Sequence, residues 1–286
     1  MTRKTNKDPG RKRAGALALA LGFAALLWIV IGGIPTAASK AERAKNSEAG
    51  YVLGFGPDFK PLLASRDDLG ISVVLAIDCS GSMSEAPKSG GEAKYLEASK
   101  ALGQVVEVLG RLVKEAPKGQ VLKVGVLRFS DQVAEVLPLR VMDEEGIAQL
   151  ASLVGDPANL APGGSTAIGA AIEKGAEWLS QSGTILRSLI VVTDGDNRAG
   201  VEPSWALSAV YGNRNSASTP DYPVLTSSIL VSFIGFDIDS GIFKPLAKYG
   251  ARILSATNQG ELAASLAGIL EADITKLEAP ALGGGK

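Results

Sequence analysis

The sequence predicts an α/β fold: a doubly wound, mainly parallel central sheet with helices on both faces. Three observations predict it. Two short runs, ISVVLAI at 71–77 and SLIVVT at 188–193, are apolar, uncharged and rich in β-branched residues, as strands buried on both faces must be. Stretches with helical spacing of apolar residues separate the strands, which is the alternation that βα units require. The chain has 286 residues, 46% of them hydrophobic, enough for one or two domains with a substantial core.

The elements follow in order. A strand over 71–78 opens the domain. Residues 92–116 carry Leu96, Leu102, Val105, Leu109, Leu112 and Val113 at helical spacing. A strand follows at 120–129, then a short edge strand at 132–137 and a short helix at 144–154. A glycine-rich loop leads into a helix at 166–180, and the second buried strand covers 188–194. Pro203 favours the first turn of a short helix over 203–211. A strand at 227–236, a helix at 242–249 ended by Gly250, a strand at 251–256 and an amphipathic helix at 261–277 complete the pattern. The one long irregular insertion, GNRNSASTPDYPV at 212–224, has a length often associated with function or mobility. No internal repeat is present.

The first strand ends on a carboxylate, Asp78, followed by Ser80 and Ser82 with Gly81 between them. A charge at the end of a buried strand needs compensation. Oxygen-only ligands at the C-terminal edge of an open α/β sheet suit a hard divalent cation, Mg²⁺, Mn²⁺ or Ca²⁺. The D-x-S-x-S pattern resembles the metal-ion-dependent adhesion site of von Willebrand factor type A domains. Two further motifs carry the resemblance in the family's order. In GGSTAIGAAI (163–172) the family's threonine falls on Thr166, and in LIVVTDG (189–195) its aspartate falls on Asp194. The resemblance covers roughly residues 68–276 and implies a Rossmann-like fold. It also implies a metal held by Asp78, Ser80, Ser82, Thr166 and Asp194, with Asp194 binding through water in one state or directly in another. Two carboxylates and three hydroxyls leave such an ion electrophilic, and in this family the open position takes an acidic residue of a partner protein.

Other residues near these loops read more plainly. Lys88, Glu92, Asp196 and Arg198 are expected to be solvated loop charges. Asp237 and Asp239 form a second D-x-D at a strand end and are expected to make a turn or cap the following helix. Cys79, the single cysteine, is expected to be a small buried apolar residue. The chain contains no histidine, which removes Ser-His-Asp and Cys-His catalysis and every histidine-based metal site.

The N-terminus is organised differently. Six basic residues against Asp8 fill positions 1–13, although the whole chain has a net charge of −1. Residues 14–34 then run without a charge, long enough at 1.5 Å per residue to span a hydrocarbon core of roughly 30 Å. The basic flank keeps 1–13 in the cytoplasm and places the rest outside. A cleaved signal peptide is the competing reading, although its apolar region is usually shorter. This gives a basic cytoplasmic segment (1–13), a transmembrane signal anchor (14–34), a linker (35–67), a type A domain (68–277) and a flexible tail (278–286).

The expected function is metal-dependent protein–protein interaction, in adhesion or assembly, by a bacterial, membrane-anchored and exported module. The expected partners are a protein supplying an acidic residue and the membrane, and not nucleic acid. One alternative is a cytoplasm-facing partner of an AAA+ ATPase or chaperone-type complex. A metal-assisted hydrolase is the least favoured, because no general base is evident beside the site.

Overall fold

The computed structural model describes Leu53 and residues 70–116, 120–211 and 229–278. The expected anchor at 14–34, nearly all of the linker, the insertion at 212–224 and the tail lie outside the described residues. Among the described residues, no helix is long and apolar enough to cross a membrane.

Six strands form one sheet: β1 (Gly70–Asp78), β2 (Val121–Phe129), β3 (Val133–Val141), β4 (Leu186–Thr193), β5 (Ile229–Phe236) and β6 (Arg252–Ala256), in the order β3-β2-β1-β4-β5-β6. All neighbours are parallel except β3, which runs antiparallel to β2 at the edge. Every residue of β1 is buried, as its mostly apolar run requires, and Ser72 and Asp78 are carried into the interior with it. Successive side chains serve opposite faces. Val73, Leu75 and Ile77 pack on one side with Leu102, Leu109, Leu150 and Leu266. Val74 and Ala76 pack on the other with Ile172, Leu179, Leu207 and Phe233.

The helices that cover the first face are α1 (Lys94–Glu115), α2 (Glu144–Gly155) and α5 (Gln259–Glu278); α3 (Ile168–Ser180) and α4 (Pro203–Val210) cover the second. Asp143 caps α2 by accepting the N–H of Gly146 at 2.7 Å. The mainly parallel, doubly wound sheet expected from the sequence is present.

Two elements differ from expectation. β3 runs on to Val141, past the expected end at 137, with Pro138 inside it. Proline is tolerated there because an edge strand turns one row of N–H groups to solvent, and the β2–β3 register shifts between Val124 and Leu127. The segment expected as a helix at 242–249 is a 3-10 helix, Ser240–Tyr249, with Pro245 inside it and Gly250 closing it at φ 90°. Proline lacks the N–H that a regular α-helical turn would need there.

The chain order places the site. From β1 the chain steps to β2 on one side, and β4 later pairs on the other. The connections leaving the C-terminal ends of β1 and β4 therefore diverge and open a crevice, where open α/β sheets bind ligands. Ile77 is in register with Val192, so Asp78 and Thr193 end adjacent strands side by side.

Candidate functional site

Three loops meet at this crevice. The first follows β1 and turns at once into a short 3-10 helix, Gly81–Ser84. The second, 161–167, precedes α3. The third, 194–202, follows β4. Backbone hydrogen bonds tie the first two together: Gly81 N–H donates to Gly164 O at 3.0 Å and Gly163 N–H to Cys79 O at 2.8 Å. The second and third are tied by Arg198 and Ala199, whose N–H groups both donate to Thr166 O at 2.8 and 3.1 Å.

A continuous hydrogen-bonded chain links four of the five expected residues. Ser80 N–H donates to Asp78 Oδ1 at 2.7 Å, the Ser80 and Ser82 hydroxyls lie 3.1 Å apart, and Ser82 Oγ donates to Asp194 Oδ1 at 2.8 Å. Thr166 is buried beside them. Its Oγ1 lies 4.0 Å from where a side chain on Gly195 would begin. Asp78 is fully buried, and its second oxygen accepts the Thr193 hydroxyl at 2.6 Å. Among the described residues no basic side chain pairs with it. Burial therefore dominates and pushes its pKa up to about 6, against the lowering effect of the Thr193 and Ser80 hydrogen bonds.

Asp194 is compensated differently. Lys94, the first residue of α1, donates to Asp194 Oδ2 at 2.8 Å and stands 3.8 Å from Asp237 Oδ2; its side chain is only 8% exposed. Asp237 follows β5 with a positive φ of 56°, a conformation that aspartate adopts more readily than most side chains. The expectation of a turn or cap holds for Asp239, which accepts the Gly241 N–H at 2.8 Å. It does not describe Asp237, whose carboxylate turns inward to Lys94. Thr193, Lys94 and Asp237 were not among the residues expected to build the site. Only Thr193, inside the T-D-G motif, carried a local signal.

The expectations for the loop charges and for Cys79 agree with the structure. Glu92, Lys88, Asp196 and Arg198 are exposed, and Glu92 pairs with Lys100 at 2.7 Å. Cys79 is buried in the core, and burial pushes its thiol up to about 12, which keeps it protonated and unreactive.

The second loop needs its glycine. Gly164 has φ 80°, and a side chain there would run into the carboxylate of Asp131. That carboxylate, in the β2–β3 turn, accepts the Ser165 N–H at 2.9 Å and so holds the loop beneath Thr166. Gly90 has a similar φ of 86° but open space around it. Gly90→Ala should cost about 1–2 kcal/mol, from the backbone alone. Gly164→Ala should cost clearly more, because Asp131 must also move. Equal urea midpoint shifts for the two variants would refute the tie between loop and turn.

The donor set can be tested against a metal. Among the described residues no group of three or more His, Cys, Asp or Glu gathers, so hydroxyls would have to supply much of any shell. Such hydroxyls are present, next to a buried carboxylate that no basic side chain among the described residues pairs with. Asp78, Asp194 and Asp237 against Lys94 leave two negative charges when all are ionised, the charge that a divalent cation neutralises. The residues fit a hard divalent ion.

Residues 73–197 match the family model described as the von Willebrand factor type A domain. No curated protein sequence matches the chain. Among solved structures, a von Willebrand factor type A protein from Catenulispora acidiphila is 16% identical with a TM-score of 0.53, over 75% of this chain and 50% of that one. The PilB minor pilin from Streptococcus sanguinis is 17% identical with a TM-score of 0.52, over 77% and 64%. BatB from Bacteroides thetaiotaomicron is 19% identical with a TM-score of 0.51, over 74% and 100%. The chain thus spans about half to two thirds of the first two. At these identities the likeness is one of fold. Residues 73–197 thus match the von Willebrand factor type A model, and the sheet order with three loops at its switch point accords with that match.

Proposed function

We propose that this domain is a divalent-cation-dependent protein-interaction module and not an enzyme. The observation that carries the reading is Asp78: a buried carboxylate with no cationic partner among the described residues, at the switch point of the sheet, among the hydroxyls of Ser80, Ser82 and Thr193. Asp78, Ser80, Ser82 and Thr166 would hold the ion. Asp194 would act through water, since Ser82 and Lys94 already engage both of its oxygens. When bound, the ion supplies an electrophilic position for a carboxylate oxygen from the partner. Mg²⁺ is the favoured ion, with Mn²⁺ and Ca²⁺ as alternatives.

The basic segment and the apolar run at 14–34 support an anchored, exported domain. A minor pilin and the SpaC pilus adhesin from Lactobacillus rhamnosus share the fold, which accords with adhesion or assembly. An immobilised acidic peptide tests the reading. The full chain should bind it in Mg²⁺, and EDTA or Asp78→Ala should reduce the signal at least tenfold. Binding that ignores both would refute the metal-mediated mode. Protease protection in intact cells separates the two orientations: digestion from outside supports export, and protection supports the cytoplasm-facing alternative.

A further inference from the structure

We propose that Lys94 is a built-in cationic competitor for the metal site, one that sets its affinity for divalent ions and holds Asp194 away from direct coordination. This rests on the metal-dependent reading above and concerns how that site is tuned.

The placement of Lys94 is costly on local grounds. A lysine at the first position of a helix faces the positive end of the macrodipole, where an acidic residue is favoured. Its side chain is also almost wholly removed from water. Both penalties need compensation, and Asp194 at 2.8 Å with Asp237 at 3.8 Å supplies it.

The helix end that carries the ammonium is also fixed in place. Lys94 N–H donates to Glu85 O at 2.9 Å, joining the start of α1 to the end of the first loop. One turn further, the buried Glu97 accepts the Gln259 N–H at 3.0 Å and clamps α1 to the start of α5. Lys94 therefore reaches Asp194 from a braced helix end and not from a mobile loop.

Two consequences follow for an ion among Asp78, Ser80, Ser82 and Thr166. The ammonium repels it, because Lys94 sits against Asp194, which Ser82 links to the same cluster of ligands. The ammonium also holds Asp194 Oδ2, while Ser82 Oγ holds Oδ1, so each oxygen already has one lone pair engaged and the carboxylate is held in that orientation. Lys94 thus acts through Asp194 as a positioning residue. It leaves the bound ion with fewer anionic ligands and more demand for one from outside.

The test is calorimetric titration of Mg²⁺ and Mn²⁺ into the full chain in non-ionic detergent, comparing wild type, Lys94→Met, Lys94→Gln and Lys94→Arg. Removing the charge should tighten binding on the order of tenfold or more, and Lys94→Arg should restore the wild-type affinity. Metal-free Lys94→Met should melt lower than wild type, with Asp194 and Asp237 left facing each other, and saturating metal should reverse the loss. If Lys94→Met does not fold, Lys94→Gln, which keeps a donor without the charge, decides. Binding by wild type with no gain in the neutral variants would overturn the role of Lys94 and leave the metal reading standing. Binding by the neutral variants alone would support the competitor role in its strongest form. No binding by any of the four would overturn both.

Discussion

Asp273→Ala should lower the stability of the folded domain by about 3 kcal/mol, the lower end of what breaking a buried ion pair costs, and its midpoint by roughly 6–12 °C. Leu266, Ile269 and Leu270 lie on the core-facing stripe of α5, and Asp273 continues that stripe at helical spacing. Its carboxylate is therefore carried into the sheet, fully buried. There Oδ2 accepts from Ser188 Oγ in β4 at 2.8 Å and from Arg252 Nη2 in β6 at 2.8 Å. Arg252 Nε in turn donates to Ser232 Oγ in β5 at 2.9 Å. One carboxylate thus joins the last helix to three strands. Alanine leaves the Ser188 hydroxyl, 1% exposed, without this acceptor and the Arg252 guanidinium without its charge partner. Arg252 is one-third exposed and can turn to water, which is why the lower end is expected. Asp273→Asn keeps an acceptor oxygen and should cost less. Urea unfolding of the three proteins checks this, and an alanine variant within 1 kcal/mol of wild type would show that the apolar stripe alone holds α5.

Legibility from the sequence divides along local and tertiary lines. β1 and β4 were plain because a strand buried on both faces must be apolar throughout, and nothing outside the run is needed to see it. Asp78, Ser80 and Ser82 were visible for the same reason: they lie within five residues at the end of such a strand. Lys94 was not visible. A lysine opening an amphipathic helix reads as a solvated charge, and its partners Asp194 and Asp237 stand 100 and 143 positions away. Asp237 was masked by Asp239, which does cap the next segment and so accounted for the D-x-D pattern by itself. The extent of β3 was hidden by Pro138, whose local meaning as a breaker is overridden at a sheet edge. What escaped was long-range electrostatics and edge position, neither of which leaves a periodic trace.

A saturating divalent cation should raise the unfolding midpoint of the wild-type chain, and Asp78→Asn should abolish the rise. An ion at 100 times its dissociation constant adds about 2.7 kcal/mol to the folded state, roughly 5–11 °C for a domain of this size. The same residue gives the metal-free protein a pH dependence whose sign is unusual for a carboxylate. Its folded pKa stands at about 6, above the ordinary value of 3.8, so the folded state binds the proton more tightly than the unfolded chain does. The contribution is present below pH 4 and is lost as pH rises through 6, a loss of roughly 3 kcal/mol. In EDTA, wild type should therefore fall relative to Asp78→Asn between pH 4 and pH 7, because the amide has no charge to bury. Adding Mg²⁺ at pH 7 should return wild type to or above the variant, since the cation stabilises the ionised form that burial penalises. Parallel pH curves for the two proteins in EDTA would mean that Asp78 is already neutralised by the protein itself. A Mg²⁺ response equal in both would place the ion somewhere other than at the ends of β1 and β4.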